Sequence, residues 1–286
     1  MKVSKFLAGS AAVSLAAVLA LTLVPASVAL SNGTTAQVTK PKGDYEPSVG
    51  QEGKDVVWVP TAQALVNKML DMAKMTPQDY VIDLGSGDGR TVITAAKRGA
   101  KALGIEYNPD MVALSKRNAE KEGVTDKATF VHGDIFVTDF SKATVLTMFL
   151  LPELNVRLRP TILKMKPGTR VVTNSFSMGD WEADQTESVN EDCRSYCTAH
   201  LWIVPANVQG TWKLPQGELT LEQKYQVLSG NLKGGDAGAV TGRMNGEEIA
   251  FKVGNTQYSG KVAGDIIEGV ARTGEKEEKF SATRAK

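Results

Sequence analysis

Two hydrophobic periods alternate along the chain from Val57 to Ala206. Leu65, Val66, Met69, Leu70 and Ala73 recur at helical spacing and predict an amphipathic helix. Tyr80-Val81-Ile82-Asp83-Leu84 is a short apolar run ending at a glycine-rich turn, the pattern of a buried strand. Helical spacing returns over residues 90–98 and stops at Gly99, and a second strand is read at 102–106. Asn108 suits the cap of the next helix, Pro109 its first position and Gly123 its end. Further strands are read at 129–131, 144–150 and 170–173, with a helix at 159–165 before the last. Strands alternating with helices imply parallel βαβ units with right-handed crossovers. The expectation is a doubly wound α/β domain over 57–209.

From Thr211 onward the period drops to two. Leu219, Leu221, Tyr225 and Val227 alternate with polar residues, as do Ile249, Phe251 and Val253. Gly230-Asn231, Asn245-Gly246, Gly254-Asn255, Gly264-Asp265 and Thr273-Gly274 read as hairpin turns between such runs. Residues 210–286 are therefore expected to form a small antiparallel β meander, as a barrel or a curled sheet. It has no His, no Cys and no catalytic constellation.

The beginning of the chain is different again. Lys2 and Lys5 precede an uncharged stretch of Ala, Leu and Val from Phe6 to Leu30, with Pro25 and small residues at Ser27 and Ala29. That is the pattern of a secretory signal peptide over 1–29, cleaved after Ala29. The rival reading is an uncleaved anchor, since the stretch exceeds the about 20 residues a bilayer needs. Both readings place the remainder outside the cytoplasm, periplasmic or secreted in one case and membrane-anchored facing outward in the other. Residues 30–56 are polar, with Pro and Gly, and read as a linker.

Composition narrows the chemistry. The 286 residues are 42% hydrophobic and 23% charged, as in folded soluble proteins, and the net charge of +1 shows no basic excess for a nucleic-acid partner. Two His and two Cys are too few for a metal centre, and Cys193 and Cys197, four apart with only His200 nearby, do not make a zinc site. Outside the cytoplasm those thiols either pair or stay free. Trp181, Trp202 and Trp212 read as core or domain-joint residues.

The candidate chemistry sits at the first strand-to-helix turn, Asp83-Leu84-Gly85-Ser86-Gly87-Asp88-Gly89. Glycines at 85, 87 and 89 let the backbone turn tightly and approach a ligand, and such crevices at strand ends are where open α/β sheets bind. The spacing differs from the dinucleotide fingerprint, and Asp83 would repel a pyrophosphate while suiting an ammonium or sulfonium. Glu106, at the end of the second strand, suits ribose hydroxyls. Asp134, after the third, suits an adenine amino group, with Ile135 and Phe136 as apolar cover.

This order of acid, glycine loop, acid and acid on successive loops resembles the class I S-adenosylmethionine-dependent methyltransferases. The resemblance implies a Rossmann-like sheet with S-adenosyl-L-methionine held by Asp83, Gly85, Ser86, Gly87, Gly89, Glu106, Asp134 and Ile135. More narrowly, Trp58-Val59-Pro60-Thr61, residues 83–90 and Phe149-Leu150-Leu151-Pro152-Glu153-Leu154 are similar to the mitochondrial ATP-synthase c-subunit lysine methyltransferases and, further off, to Dot1-like enzymes. That similarity implies an acceptor site at Phe149, Pro152 and Glu153, with a protein lysine as acceptor and Glu153 aligning its amine. An Asn-Pro-Pro-Tyr acceptor motif is absent. Methyl transfer needs no metal and no covalent nucleophile, in keeping with the scarcity of His and Cys. Because the leader exports a protein whose cofactor is made in the cytoplasm, an exported binding protein on the same fold stands as the alternative.

Overall fold

The computed structural model describes residues 45–235 and 237–285. Both readings of the 1–29 leader, and the first part of the 30–56 linker, lie outside the described residues.

The α/β part runs α1 (Gln63–Met72), β1 (Tyr80–Leu84), α2 (Arg90–Lys97), β2 (Lys101–Glu106), α3 (Pro109–Lys121), β3 (Ala128–His132), β4 (Val145–Met148), α4 (Pro152–Ile162), β5 (Arg170–Asn174), β6 (Gln185–Ser188) and β7 (Thr198–Ile203). These strands form a seven-stranded sheet in the order β3-β2-β1-β4-β5-β7-β6. The first five are parallel, with β1 between β2 and β4. The order reverses at β1, which leaves a crevice beyond its carboxyl end. The last two strands differ from the expected parallel scheme: β7 runs antiparallel to β5, and β6 returns antiparallel to β7 as a hairpin.

Alternate residues of the central strands feed two cores, as a sheet covered on both faces requires. Val81, Val145 and Val172 pack with Leu65, Leu70 and Val92 of α1 and α2. Their neighbours Ile82, Leu146 and Val171 face the other way, with Leu158, Ile162 and Trp202. The Asn108 side chain caps α3 by accepting from the backbone N–H groups of Asp110 and Met111. The helix expected at 159–165 instead begins at Pro152 and continues through Pro160. Pro152 takes the first helical position, where its missing N–H is no loss. Pro160 sits on the exposed side, where water can satisfy the Val156 carbonyl that its ring deprives of a donor.

The second part is a closed barrel of eight strands: β8 (Gly210–Leu214), β9 (Gly217–Lys224), β10 (Val227–Lys233), β11 (Gly238–Asn245), β12 (Glu248–Val253), β13 (Thr256–Ala263), β14 (Ile266–Thr273) and β15 (Lys276–Arg284). Successive strands pair antiparallel, and β15 returns to β8 through Thr283 opposite Lys213 and Arg284 opposite Trp212. The alternating residues point inward and fill it: Leu219, Leu221, Ile249, Phe251, Tyr258 and Phe280 are all buried. One expected turn is not a turn. Gly230-Asn231 lies inside β10, where a Cβ at Gly230 would stand 1.9 Å from the Thr220 carbonyl oxygen of the neighbouring strand; the glycine serves close approach. The turn falls at Tyr225-Gln226, with Tyr225 at φ 56°.

That turn also joins the two parts. Gln226 is buried, accepts from the Trp181 indole N–H at 2.8 Å and donates to the Glu182 carbonyl at 2.8 Å. The Tyr225 ring stacks on Trp181 with centroids 5.7 Å apart. Trp181, Trp202 and Trp212 are all core residues.

Candidate functional site

A cavity of about 500 Å³ opens beyond the carboxyl ends of β1, β2 and β4. Asp83 at the end of β1, Glu106 at the end of β2 and Asp134 after β3 all line it, as do Gly85, Ser86, Gly87 and Ile135. Residues far apart in the chain thus converge because successive parallel strands end on the same side.

Glu106 holds this side of the cavity together. Its two carboxylate oxygens accept from the backbone N–H of Gly87 and of Asn108, each at 2.9 Å. One side chain thereby ties the glycine loop to the start of α3, and each oxygen keeps a lone pair for a ligand hydroxyl. Asp83 is buried and accepts from the Thr147 hydroxyl at 2.6 Å. Burial pushes its carboxyl up to about 7, with the charges of Glu106 and Asp88 acting in the same direction and the Thr147 and Thr91 hydroxyls opposing. A carboxyl so placed is poised to take up a cationic ligand.

The glycines divide their labour. Gly85, Gly87 and Gly89 all have positive φ, between 54° and 83°. A Cβ at Gly87 would lie 2.8 Å from the Trp58 indole nitrogen, inside the cavity wall. Gly89 does not line the cavity. A Cβ there would stand 2.7 Å from both Phe130 and Ser115, so its role is the close packing of α2 on its neighbours. The Ser86 hydroxyl is turned toward Gly104 and has no hydrogen-bond partner among the described residues.

The opposite wall comes from residues 51–56, the end of the stretch expected to be linker, and from the Val57–Thr61 run that follows it. The Gly50 N–H donates to the Trp58 carbonyl and the Trp58 N–H to the Gln51 carbonyl, and Glu52 bridges to Val57. The tip of this small hairpin carries Lys54 to Asp134, Nζ to Oδ2 at 2.6 Å, with the ammonium 4.7 Å from the Tyr107 ring centroid. That bond holds Asp134 below and Lys54 above their ordinary values. Arg90 secures the same stretch from beneath, pairing with both oxygens of Asp88 and donating to the Thr61 carbonyl at 2.8 Å.

At the far end the wall is aromatic. Phe149, Phe176 and Tyr196 stand with ring centroids 5.2–6.0 Å apart. The sequence points to Phe149 here, but not to Phe176 or Tyr196. Pro152 and Glu153 do not reach the cavity. The first begins α4 and the second is exposed in its first turn, where the chain has already turned away. Cys193 and Cys197 form a disulfide with Cα atoms 5.8 Å apart, which resolves the choice between paired and free thiols.

The residues fit S-adenosylmethionine. Asp83 offers a carboxyl to a cationic group, Glu106 has lone pairs left for hydroxyls, and the space beside Gly87 is kept free by the lack of a Cβ. The profile of the ANTKMT methyltransferase domain matches residues 83–185. A protein-lysine N-methyltransferase of Saccharolobus islandicus (strain REY15A) is 43% identical over 152 residues, 52% of this chain and 94% of the relative. The chain belongs to this family of class I methyltransferases. The lysine N-methyltransferase of Rattus norvegicus that is named for the ATP synthase c-subunit is 32% identical over 45% of this chain and 60% of its own length. Among solved structures, an RNA methyltransferase from Salinibacter ruber in complex with S-adenosyl-L-homocysteine is 42% identical, covering 52% of this chain and 96% of that one with a TM-score of 0.49. Family membership gives this methyltransferase S-adenosylmethionine as its cofactor, and of the residues its sequence singles out, Asp83, Gly85, Ser86, Gly87, Glu106, Asp134, Ile135 and Phe149 line one cavity.

Proposed function

We propose that this methyltransferase transfers the methyl group of S-adenosylmethionine to the side-chain amine of a protein lysine. The observation that carries the acceptor class is the 43% identity to a protein-lysine N-methyltransferase along nearly the whole of that relative. When bound, the cofactor supplies a methyl group on a cationic sulfur, ready for in-line displacement by a neutral amine.

The chain's residues do the rest. Asp83 and the backbone of the Gly85–Gly87 turn receive the amino-acid end, Glu106 accepts from ribose hydroxyls, and Asp134 and Ile135 border the base. The 51–61 stretch covers the crevice and excludes water. Phe149, Phe176 and Tyr196 pack against the methylenes of an entering lysine. Desolvation there lowers the amine's pKa and favours the neutral nucleophile, while aromatic faces tolerate the charge that the methylated product carries.

The exported placement belongs to the same proposal. It is supported by the leader pattern and by a disulfide of the kind that persists in oxidising compartments. Mass spectrometry of the mature amino terminus tests it: a start near Leu30 is expected, and intact Met1 in a cytoplasmic fraction would overturn it.

The acceptor class is tested with radiolabelled methyl donor and poly-L-lysine, followed by hydrolysis and amino-acid analysis. Methyl-lysine is the expected product. Cofactor binding with no transfer to any lysine polymer or protein would favour the exported binding protein instead.

A further inference from the structure

Tyr196 is held in a manner that packing alone does not require. It lies within the five-residue ring closed by Cys193 and Cys197, at the end of the β6–β7 hairpin. The backbone there adopts φ 56°, a left-handed conformation that a bulky aromatic residue rarely takes. Its side chain remains 44% exposed, so core burial does not offset that strain. Yet its ring meets Phe149 at 5.2 Å and Phe176 at 5.8 Å and completes the aromatic wall of the cavity. Strain that persists at the rim of a ligand site, clamped by a covalent bond, is strain kept for a task.

The hairpin base fixes where the ring lands. The Val189 N–H donates to the Cys197 carbonyl and the Ser175 N–H to the Thr198 carbonyl, at 2.9 and 2.7 Å. The Thr173 hydroxyl then holds the Phe176 carbonyl at 2.6 Å. The turn carrying Phe176 and the loop carrying Tyr196 are thus hydrogen-bonded to one another at their roots. Past Cys197 the disulfide is the remaining covalent restraint on Tyr196. The glycine loop, Glu106 and Asp134 take no part in this arrangement.

We propose that Tyr196, positioned by the Cys193–Cys197 disulfide, determines the fit of the methyl acceptor, so that acceptor use depends on the closed disulfide and cofactor binding does not. The proposal rests on the lysine reading given above. Opening the ring takes two electrons and two protons from a thiol reductant: the S–S bond breaks, two thiols form on the protein, and a dithiol donor closes its own disulfide. The freed loop can then relax from the left-handed backbone, and the ring leaves Phe149 and Phe176.

The experiment uses the full chain, oxidised or reduced with dithiothreitol, beside Tyr196→Ala, Tyr196→Phe and the Cys193→Ser/Cys197→Ser pair. Calorimetry gives the S-adenosylmethionine affinity, and transfer to poly-L-lysine gives kcat and KM for the acceptor. Reduction, the double serine variant and Tyr196→Ala are each expected to raise the acceptor KM several-fold while cofactor affinity stays within about twofold. Tyr196→Phe should restore the oxidised KM, and Tyr196→Ala should no longer respond to reductant. Transfer to poly-L-lysine with an unchanged KM in the reduced and alanine forms would overturn this proposal and leave the lysine reading standing. Cofactor binding that falls together with acceptor use would also overturn it, because the loop would then support the whole cavity. Failure of the oxidised wild type to methylate poly-L-lysine would overturn the lysine reading and this proposal with it.

Discussion

Lys54 reaches Asp134 across the cavity, Nζ to Oδ2 at 2.6 Å, from a part of the chain 80 residues earlier. The contact joins the hairpin tip at 51–58 to the loop after β3 and so closes this end of the cavity. Both groups remain partly exposed, so water and salt screen their attraction. The pair therefore acts as a latch of modest strength.

Lys54→Ala is expected to speed release of S-adenosylmethionine, with a loss of affinity below about tenfold, as for exposed ion pairs generally. The difference from wild type should shrink as salt is raised. Stopped-flow measurement of cofactor dissociation at low and high salt checks this. Equal release rates at low salt would show that the hairpin is held by Trp58 and Arg90 alone.

The raised carboxyl of Asp83 makes cofactor affinity depend on pH. Below about 7 the free protein holds this group protonated, whereas a cationic ligand favours the carboxylate. Affinity should therefore fall by up to about tenfold for each pH unit below 7, and binding near neutrality should release a proton. Stability runs the other way. Because the folded value lies above the ordinary carboxyl value, folding is favoured by the neutral form at low pH, and that contribution is lost as pH rises from about 4 to about 7. Asp83→Asn should flatten both profiles. Calorimetry in buffers of different ionisation heat, together with urea titrations across this range, tests the pair of slopes.

Glu106 accepts from the backbone N–H groups of Gly87 and Asn108, and the proposed function also gives it the ribose hydroxyls of the cofactor. Glu106→Ala is expected to cost about 1.5–3 kcal/mol of cofactor affinity, the range for hydrogen bonds to a charged group. Glu106→Gln keeps one acceptor oxygen and should lose less. Calorimetry on both variants decides: alanine and glutamine forms that bind like wild type would remove Glu106 from the site.

Much of this site is legible in the sequence, for a specific reason. Asp83, Gly85, Gly87, Glu106 and Asp134 each follow a strand, and parallel strands present their carboxyl ends together, so spacing along the chain stands in for proximity. The residues that escape lack such a proxy. Lys54 lies in a polar stretch with Pro and Gly, and its partner Asp134 is 80 residues away, which makes the stretch read as linker. Tyr196 sits in a polar insertion whose only local signal is a pair of cysteines. Pro152 and Glu153 err in the other direction: the residue pattern points to them, but the start of α4 carries both away from the cavity. The choice between a barrel and a curled sheet stays open in the sequence because β8 and β15, the first and last strands, meet only in three dimensions.

Gly89 separates packing from binding within one loop. Gly89→Ala places a methyl 2.7 Å from Phe130 and Ser115 at φ 83°. Overpacking of this kind costs about 1–3 kcal/mol, and the left-handed backbone adds about 1 kcal/mol. A lower urea midpoint is expected, with cofactor affinity close to wild type in whatever fraction is folded. An unchanged midpoint with lost binding would return Gly89 to the ligand site.

The barrel meets the α/β part through Gln226, whose amide satisfies the buried Trp181 indole. Trp181 in turn lies just beyond Met178 and Asp180, which hold Arg159 of α4 at 2.7 Å each. Gln226→Ala would leave the indole N–H and the Glu182 carbonyl without partners, a cost of about 1–3 kcal/mol for an unsatisfied buried group. Among the described residues, none that lines the cavity lies beyond Tyr196. The substitution should therefore lower the unfolding midpoint while leaving S-adenosylmethionine affinity within a few-fold of wild type. Removal of everything after Gln209 should act in the same sense and more strongly, since it also strips Tyr225 from the Trp181 face. Urea unfolding followed by tryptophan fluorescence, paired with calorimetry under native conditions, measures both quantities. If Gln226→Ala keeps its stability but loses cofactor, the barrel shapes the cavity through the 174–181 turn, and its part in the molecule is catalytic support instead of mechanical support.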